Sequence, residues 1–320
     1  MFNLRTDLAI EGRDIATKQG QIEGVESEEL KIKNFLITRV TVINEQGAKA
    51  ISKPIGKYVT IEIADTSGDS SAFINAIEVI SHEIMEMCGL KNDDTVLIAG
   101  LGNMKVTPDA LGPKTVERVM VTRHLKENAP EFFYNSRLRQ VAAISPGVLG
   151  QTGVETAEII KGVIQKINPS VLIVIDALAS RKMKRLATTV QISDTGIIPG
   201  GGVENARGEI SNNTMGIKVI SIGVPTVVDA ATLSSDVIDE VLKSVGQKAG
   251  GEVIKLFEDY SKKDKYDLIK DSLTPYDLNL VVTPKDIDFI IGEVSKTVGY
   301  AINKAMHNHI SIEDMDAYLA

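Results

Sequence analysis

Thr95-Val-Leu-Ile-Ala-Gly-Leu-Gly-Asn-Met-Lys-Val-Thr-Pro-Asp-Ala-Leu-Gly-Pro113 begins as an apolar run and ends as a tight loop around one carboxylate, Asp109. The run Thr95–Ala99 reads as a buried parallel strand. A second apolar run, Val171–Ile175, leads the same way into Asp176. Open α/β sheets place their chemistry at the carboxyl ends of such strands. Two acids, each following a strand, therefore define a candidate site.

Outward from these runs the pattern alternates. Asn34–Ile43 and Lys57–Ile63 read as β segments joined by a turn-rich stretch with Gly47, Pro54 and Gly56, and Ser71–Cys88 has apolar residues at helical spacing ended by Gly89. Then come a strand Thr95–Leu101, a helix Pro108–His124, a strand Gln140–Ser145, a helix Val154–Ile167 and the strand Val171–Ile175, with further strands Thr189–Ser193 and Ile217–Ile222. The tail reads as a helix Ser234–Leu256 interrupted at Gly250-Gly251, a charged segment Glu258–Lys270, a strand Asp277–Val282 and a long amphipathic helix Lys285–Met306. Residues 1–30, polar and acid-rich, read as a loosely packed arm. The pattern predicts an α/β protein: a central, mostly parallel, doubly wound sheet with an added N-terminal β-rich element.

Composition narrows the function. The chain has 320 residues, 43% hydrophobic and 24% charged, with room for a sizeable core. A net charge of −8, no Trp and 4% aromatics argue against direct nucleic-acid binding. No stretch approaches the ~18 apolar residues of a membrane span, and the N-terminus lacks the pattern of a secretory signal. The single cysteine, Cys88, falls in a helical apolar stripe and suits a reducing cytoplasm.

Gly100-Leu-Gly102 invites a dinucleotide reading, but Lys105 stands where the third small residue of that fingerprint belongs, and the strand Gln140–Ser145 does not end on a ribose-binding acid. No cofactor is expected. Backbone amides of Gly100, Gly102 and Asn103, and of Gly200, Gly201 and Gly202 in a second loop, are candidates to meet substrate or an oxyanion. A paired carboxylate site can split peptide hydrolysis, one ionised acid taking a proton from water and one protonated acid donating to the leaving amine. Each acid alone could instead cap a helix, Asp109 after Thr107-Pro108 and Asp176 before Ala177–Ala187. A metal site would want histidine, yet neither His82, His124, His307 nor His309 adjoins a core strand end, no HExxH occurs, and His307 and His309 read as surface residues. Asp229 is either a third oxygen ligand or a helix cap.

The Gly100–Pro113 segment and Val171–Arg181 (VLIVIDALASR) closely resemble the germination proteases of spore-forming bacteria. So do RTDLAIE near the N-terminus, the Ile197–Glu209 loop and IGVPTVVDAATL at Ile222–Leu233. The resemblance implies an endopeptidase that degrades small acid-soluble spore proteins in the germinating spore, acting in the cytoplasm of the forespore or spore core. It implies a homotetramer made as an inactive zymogen, with Asp109 and Asp176 as an aspartic-type pair. The core is similar to that of hydrogenase maturation proteases, whose metal-binding acids fall where Asp109 and Asp176 stand, though the histidine of that metal site has no counterpart here. Substrates of the family are cut after an acid and before an apolar residue followed by Ala, as in Thr-Glu/Ile-Ala-Ser-Glu. Thr6-Asp7-Leu8-Ala9-Ile10-Glu11 has that form, so self-cleavage between Asp7 and Leu8 is expected, leaving 8–320 as one peptidase domain after loss of a 1–7 propeptide. A metal-dependent peptidase using the same acids, a non-catalytic anion- or peptide-binding protein and a dinucleotide oxidoreductase are the competing classes.

Overall fold

In the computed structural model, residues 6–17, 20, 22–63, 69–91, 93–200, 207–249, 269, 272 and 280–319 are described. The apolar runs become β4 (Thr95–Gly100), β5 (Gln140–Ile144), β6 (Val171–Ser180) and β8 (Lys218–Asp229). These pair in parallel, β5 with β4, β4 with β6 and β6 with β8. β7 (Thr189–Ser193) joins β8 antiparallel and carries the sheet on to β3 (Gly56–Glu62), β2 (Phe35–Val42) and β1 (Val25–Ile32). With β9 (Val281–Val282) paired to β8, the described residues form one nine-stranded sheet, a parallel centre with the N-terminal β-rich element as its antiparallel flank.

Both faces are covered, as a doubly wound sheet requires. Helices Ser70–Cys88 and Ile287–Met306 cover one face, over Val190, Ile173 and Ile220. Helix Thr156–Ile167 covers the other, packing Ile160 and Ile164 on Leu97, Leu172 and Val174. The first of these is well specified locally: Asp69 accepts the Ser71 and Ala72 N–H groups at its start, and Gly89 closes it in the left-handed conformation. Cys88 is buried in that core, and burial pushes its thiol up to about 12, so it packs as an apolar side chain. Among the described residues no helix is long and apolar enough to cross a membrane.

Several expectations change. The loose arm is instead helix Ala9–Thr17 followed by β1, and Leu8, Ala9 and Ile10 are buried. The turn-rich stretch holds helix Glu45–Ile51, capped by Asn44. The helix expected over Pro108–His124 is a 3-10 turn, Thr107–Asp109, and a short helix, Leu111–Val116. From Met120 the backbone turns to distant partners, Met120 N–H to Asn303 Oδ1 (2.8 Å) and Thr122 N–H to the Val141 carbonyl (3.0 Å). The strand expected to stop at Ile175 runs on to Ser180, so Asp176 lies inside a strand and caps no helix. Gly250-Gly251, residues 258–268 and 270 of the charged segment and 277–279 lie outside the described residues.

Candidate active site

β6 outlasts its neighbour. The last pairing of β4 is Gly100 with Ile175, and Leu101 N–H still donates to the Ile175 carbonyl (2.8 Å). After that the chain turns away. Gly102, at φ +111, makes the turn, and a Cβ there would stand 2.0 Å from the Asp109 carbonyl oxygen. Gly100 and Gly112 meet backbone to backbone, a Cβ on Gly100 falling 2.2 Å from the Gly112 oxygen. These contacts account for the glycines of the opening segment. They wrap the loop so that Asp109 comes back beside the strand it left. Asn103 N–H donates to the Asp109 carboxylate (2.8 Å) and to its carbonyl (3.1 Å).

Asp176 is the first β6 residue beyond the last β4 pair, and only 5% of it is exposed. Its own Oδ1 accepts the Ala177 N–H (2.9 Å). Burial raises its carboxyl well above 3.8, and the nearby Asp109 and Asp7 carboxylates raise it further. Burial also raises Asp109, while the Asn103 N–H pulls it back. The two predicted acids are thus brought into one electrostatic neighbourhood, and Asp7 joins them.

Asp7 was expected in a removable arm; it is docked. Successive strand residues direct their backbone groups to opposite edges, so Ile175, Ala177 and Ala179 face the edge that β4 has left. Asp7 takes it: its N–H donates to the Ala179 carbonyl (2.9 Å), and Ala179 N–H donates to the Asp7 carboxylate (2.8 Å). Lys53 Nζ donates to the Thr6 carbonyl (3.0 Å), and its charge offsets the burial that raises the Asp7 carboxyl. Leu8 is fully buried against Leu178, Ile10 and Ile197, a burial worth about 1.5–3 kcal/mol. Glu11, buried, accepts the Arg181 N–H (2.7 Å) and Lys182 N–H (3.1 Å), pairs with Arg185 (3.5 Å) and takes the Thr6 hydroxyl.

Gln191 gave no signal in sequence. It sits on β7 opposite Gly223 of β8, which is itself opposite Asp176 of β6, so Gln191 and Asp176 emerge on one face in one cross-strand row. Its Nε2 donates to the Asp7 carbonyl (3.1 Å), and its Oε1 accepts the Ala9 N–H (2.7 Å). Lys53, Arg185 and Gln191 belong to no sequence motif, and their distant partners mark them.

Other candidates divide. Asn103 lies in the site and Gly100 and Gly102 shape it. Gly200, at φ +70, follows Ile197, which packs beside Leu8; Gly201 and Gly202 lie outside the described residues. Asp229 accepts the Thr232 N–H (2.8 Å) and hydroxyl (2.7 Å), the helix-cap reading. His307, expected at the surface, is buried at the opposite end of the strands. Among the described residues no group of three His, Cys, Asp or Glu side chains is arranged to hold a metal ion.

The sequence profile of the germination proteases matches residues 5–252 and 250–319. The chain belongs to the germination protease family. The germination protease of Clostridium perfringens (strain ATCC 13124) is 47% identical over the whole of both chains. That of Caldanaerobacter subterraneus subsp. tengcongensis is 45% identical over 100% of this chain and 99% of its own, and that of Priestia megaterium 40% over 99% and 97%. Membership makes the chain a hydrolase of the peptidase kind. A solved [NiFe] hydrogenase maturation protease, HycI from Thermococcus kodakarensis, is similar over 45% of this chain and 80% of its own at TM-score 0.31 and 18% identity.

Proposed function

We propose that this germination protease is an endopeptidase for small acid-soluble spore proteins, made in the forespore as a zymogen that cuts itself between Asp7 and Leu8. Asp109 is the base that takes a proton from water. Asp176 is the acid, protonated because it is buried beside two other carboxylates. The seating of the Asp7–Leu8 junction on β6, within the electrostatic reach of Asp176, carries the reading. The Asp7 carboxylate meets the Ala179 N–H, the Leu8 side chain packs on Leu178 and the Ala9 methyl is buried beside Val40, Val42, Ile51 and Tyr58, which supports the cleavage preference expected from sequence.

Residues 1–7 are then the propeptide and 8–320 the peptidase domain, assembled as a homotetramer. Incubation of the full chain followed by intact-mass measurement tests the cut: loss of residues 1–7 in the parent, and none in Asp109→Asn or Asp176→Asn, is expected. The same variants should leave a purified small acid-soluble spore protein intact. A self-cleavage rate that stays flat between about pH 5 and 8 would overturn the acid–base assignment. Sedimentation before and after cleavage checks the tetramer.

A further inference from the structure

We infer that Gln191 is a catalytic residue of this protease: its side-chain amide holds the carbonyl oxygen of the bond to be cut and carries the charge that develops there. The inference rests on the Asp7–Leu8 cleavage proposed above.

Gln191 grips the junction at two points. Nε2 donates to the carbonyl oxygen of Asp7, the acyl side of the bond, and Oε1 accepts the N–H of Ala9, one residue past the leaving nitrogen. A single planar amide thereby fixes the peptide on both sides of Leu8. The residue is buried, so its hydrogen bonds act away from bulk water, where a donor aimed at a developing oxyanion is strongest. It is also held in place from below: β7 pairs with β3 on one side and with β8 on the other, a rigid support for a catalytic amide.

The row across the sheet explains how Gln191 and Asp176 serve one peptide. Neighbouring strands lie about 4.8 Å apart, so residues two strands apart are separated by roughly 10 Å. Gly223 stands between them with no side chain, and Leu178 leans into the space a Cβ would fill. The junction enters from the free edge of β6 at Ala179, crosses over Leu178 and reaches Gln191.

The chemistry balances without a further reagent. Water adds its oxygen to the Asp7 carbonyl carbon and gives a proton to Asp109. The carbonyl electron pair moves to oxygen, where the hydrogen bond from Gln191 Nε2 strengthens. That pair then re-forms the carbonyl as the C–N bond breaks, and the Leu8 nitrogen takes the Asp176 proton. Products are the Asp7 carboxyl group and the Leu8 amine. Because Gln191 polarises the oxygen, the Asp176 proton remains free for the amine.

The test uses the full chain and follows self-cleavage by intact mass, with Asp7–Leu8 confirmed as the cut. Gln191→Ala should slow it by about 10²- to 10³-fold, the range found when one oxyanion donor is removed. Gln191→Glu keeps the size and the acceptor and loses the donor while ionised. It should be as slow as Gln191→Ala at neutral pH and recover as acid protonates the new carboxyl, a gain that a purely structural role would not produce. Thermal melts verify that each variant is folded at the pH of measurement. A rate for Gln191→Ala within about twofold of the parent, or a Gln191→Glu profile parallel to the parent's, overturns the role of Gln191 alone. A parent chain cut elsewhere, or not at all, overturns the Asp7–Leu8 reading and this inference with it.

Discussion

The two ends of the β4–β6 ladder each bury an ionisable side chain, and only one of them is the candidate site. At the amino end, His307 lies under Arg139, whose backbone N–H reaches Nδ1 at 3.4 Å, while Nε2 has no hydrogen-bond partner among the described residues. Burial, helped by His309 and Arg139, pushes His307 down to about 4, so it stays neutral. At the carboxyl end, burial disfavours the charged form of Asp176 by the opposite shift. Desolvation is common to both. Asp176 also has other carboxylates nearby and a peptide docked beside it, and among the described residues His307 has neither. A buried, perturbed group becomes a candidate for chemistry when the fold also leaves room for a substrate.

Four substitutions probe that contrast. Asp109→Asn and Asp176→Asn should each cut self-cleavage by about 10²- to 10⁴-fold, measured by intact mass over time, whereas His307→Gln should leave it essentially unchanged. An equal loss in His307→Gln would break the distinction between the ends.

The second effect is on stability against pH. A histidine lowered from 6.5 to about 4 favours the native state above 6.5 and withdraws that support as pH falls toward 4, by at most on the order of 3 kcal/mol. His307→Gln should flatten that acid limb in urea titrations.

Next in size, Gly102→Ala forces a left-handed position and a clash with the Asp109 carbonyl. A loss of about 1–3 kcal/mol is expected, with slower cleavage as Asp109 is displaced. The smallest effect has the opposite sign to that of His307. A carboxyl raised above 3.8 contributes its full stability at acid pH and loses it as pH rises through the native value. Asp176→Asn should therefore melt above the parent at neutral pH, with the advantage vanishing toward pH 4.

The sequence carried the parallel centre and both acids because β4 and β6 are apolar runs longer than a chance cluster. Thr189–Ser193 was read to the residue. What it concealed has a common cause. Ala177, Ala179 and Ser180 are small and look like a turn; continued pairing with Val224–Val228 of β8 makes them strand, and Asp7 docks on the edge that β4 has left. β1 (VESEELKI) is an edge strand with a charge at every second position or closer, so it shows no apolar period. The N-terminal residues look solvated one by one, yet Thr6, Asp7 and Glu11 find their partners at Lys53, Ala179, Arg181 and Arg185. His307 is hidden likewise, since the cover comes from Arg139. Local pattern reports what a residue would do alone, and these residues are set by contacts far along the chain.

The overhang of β6, Asp176–Ser180, reaches beyond the last pairing with β4. A strand that outruns its neighbour offers main-chain donors and acceptors to whatever extended peptide arrives, whatever its side chains. Bare, it is also the sort of edge on which identical chains stick together. While residues 6–11 lie there, the molecule carries its own stopper: the opening that can receive a foreign strand is withheld from its sister molecules.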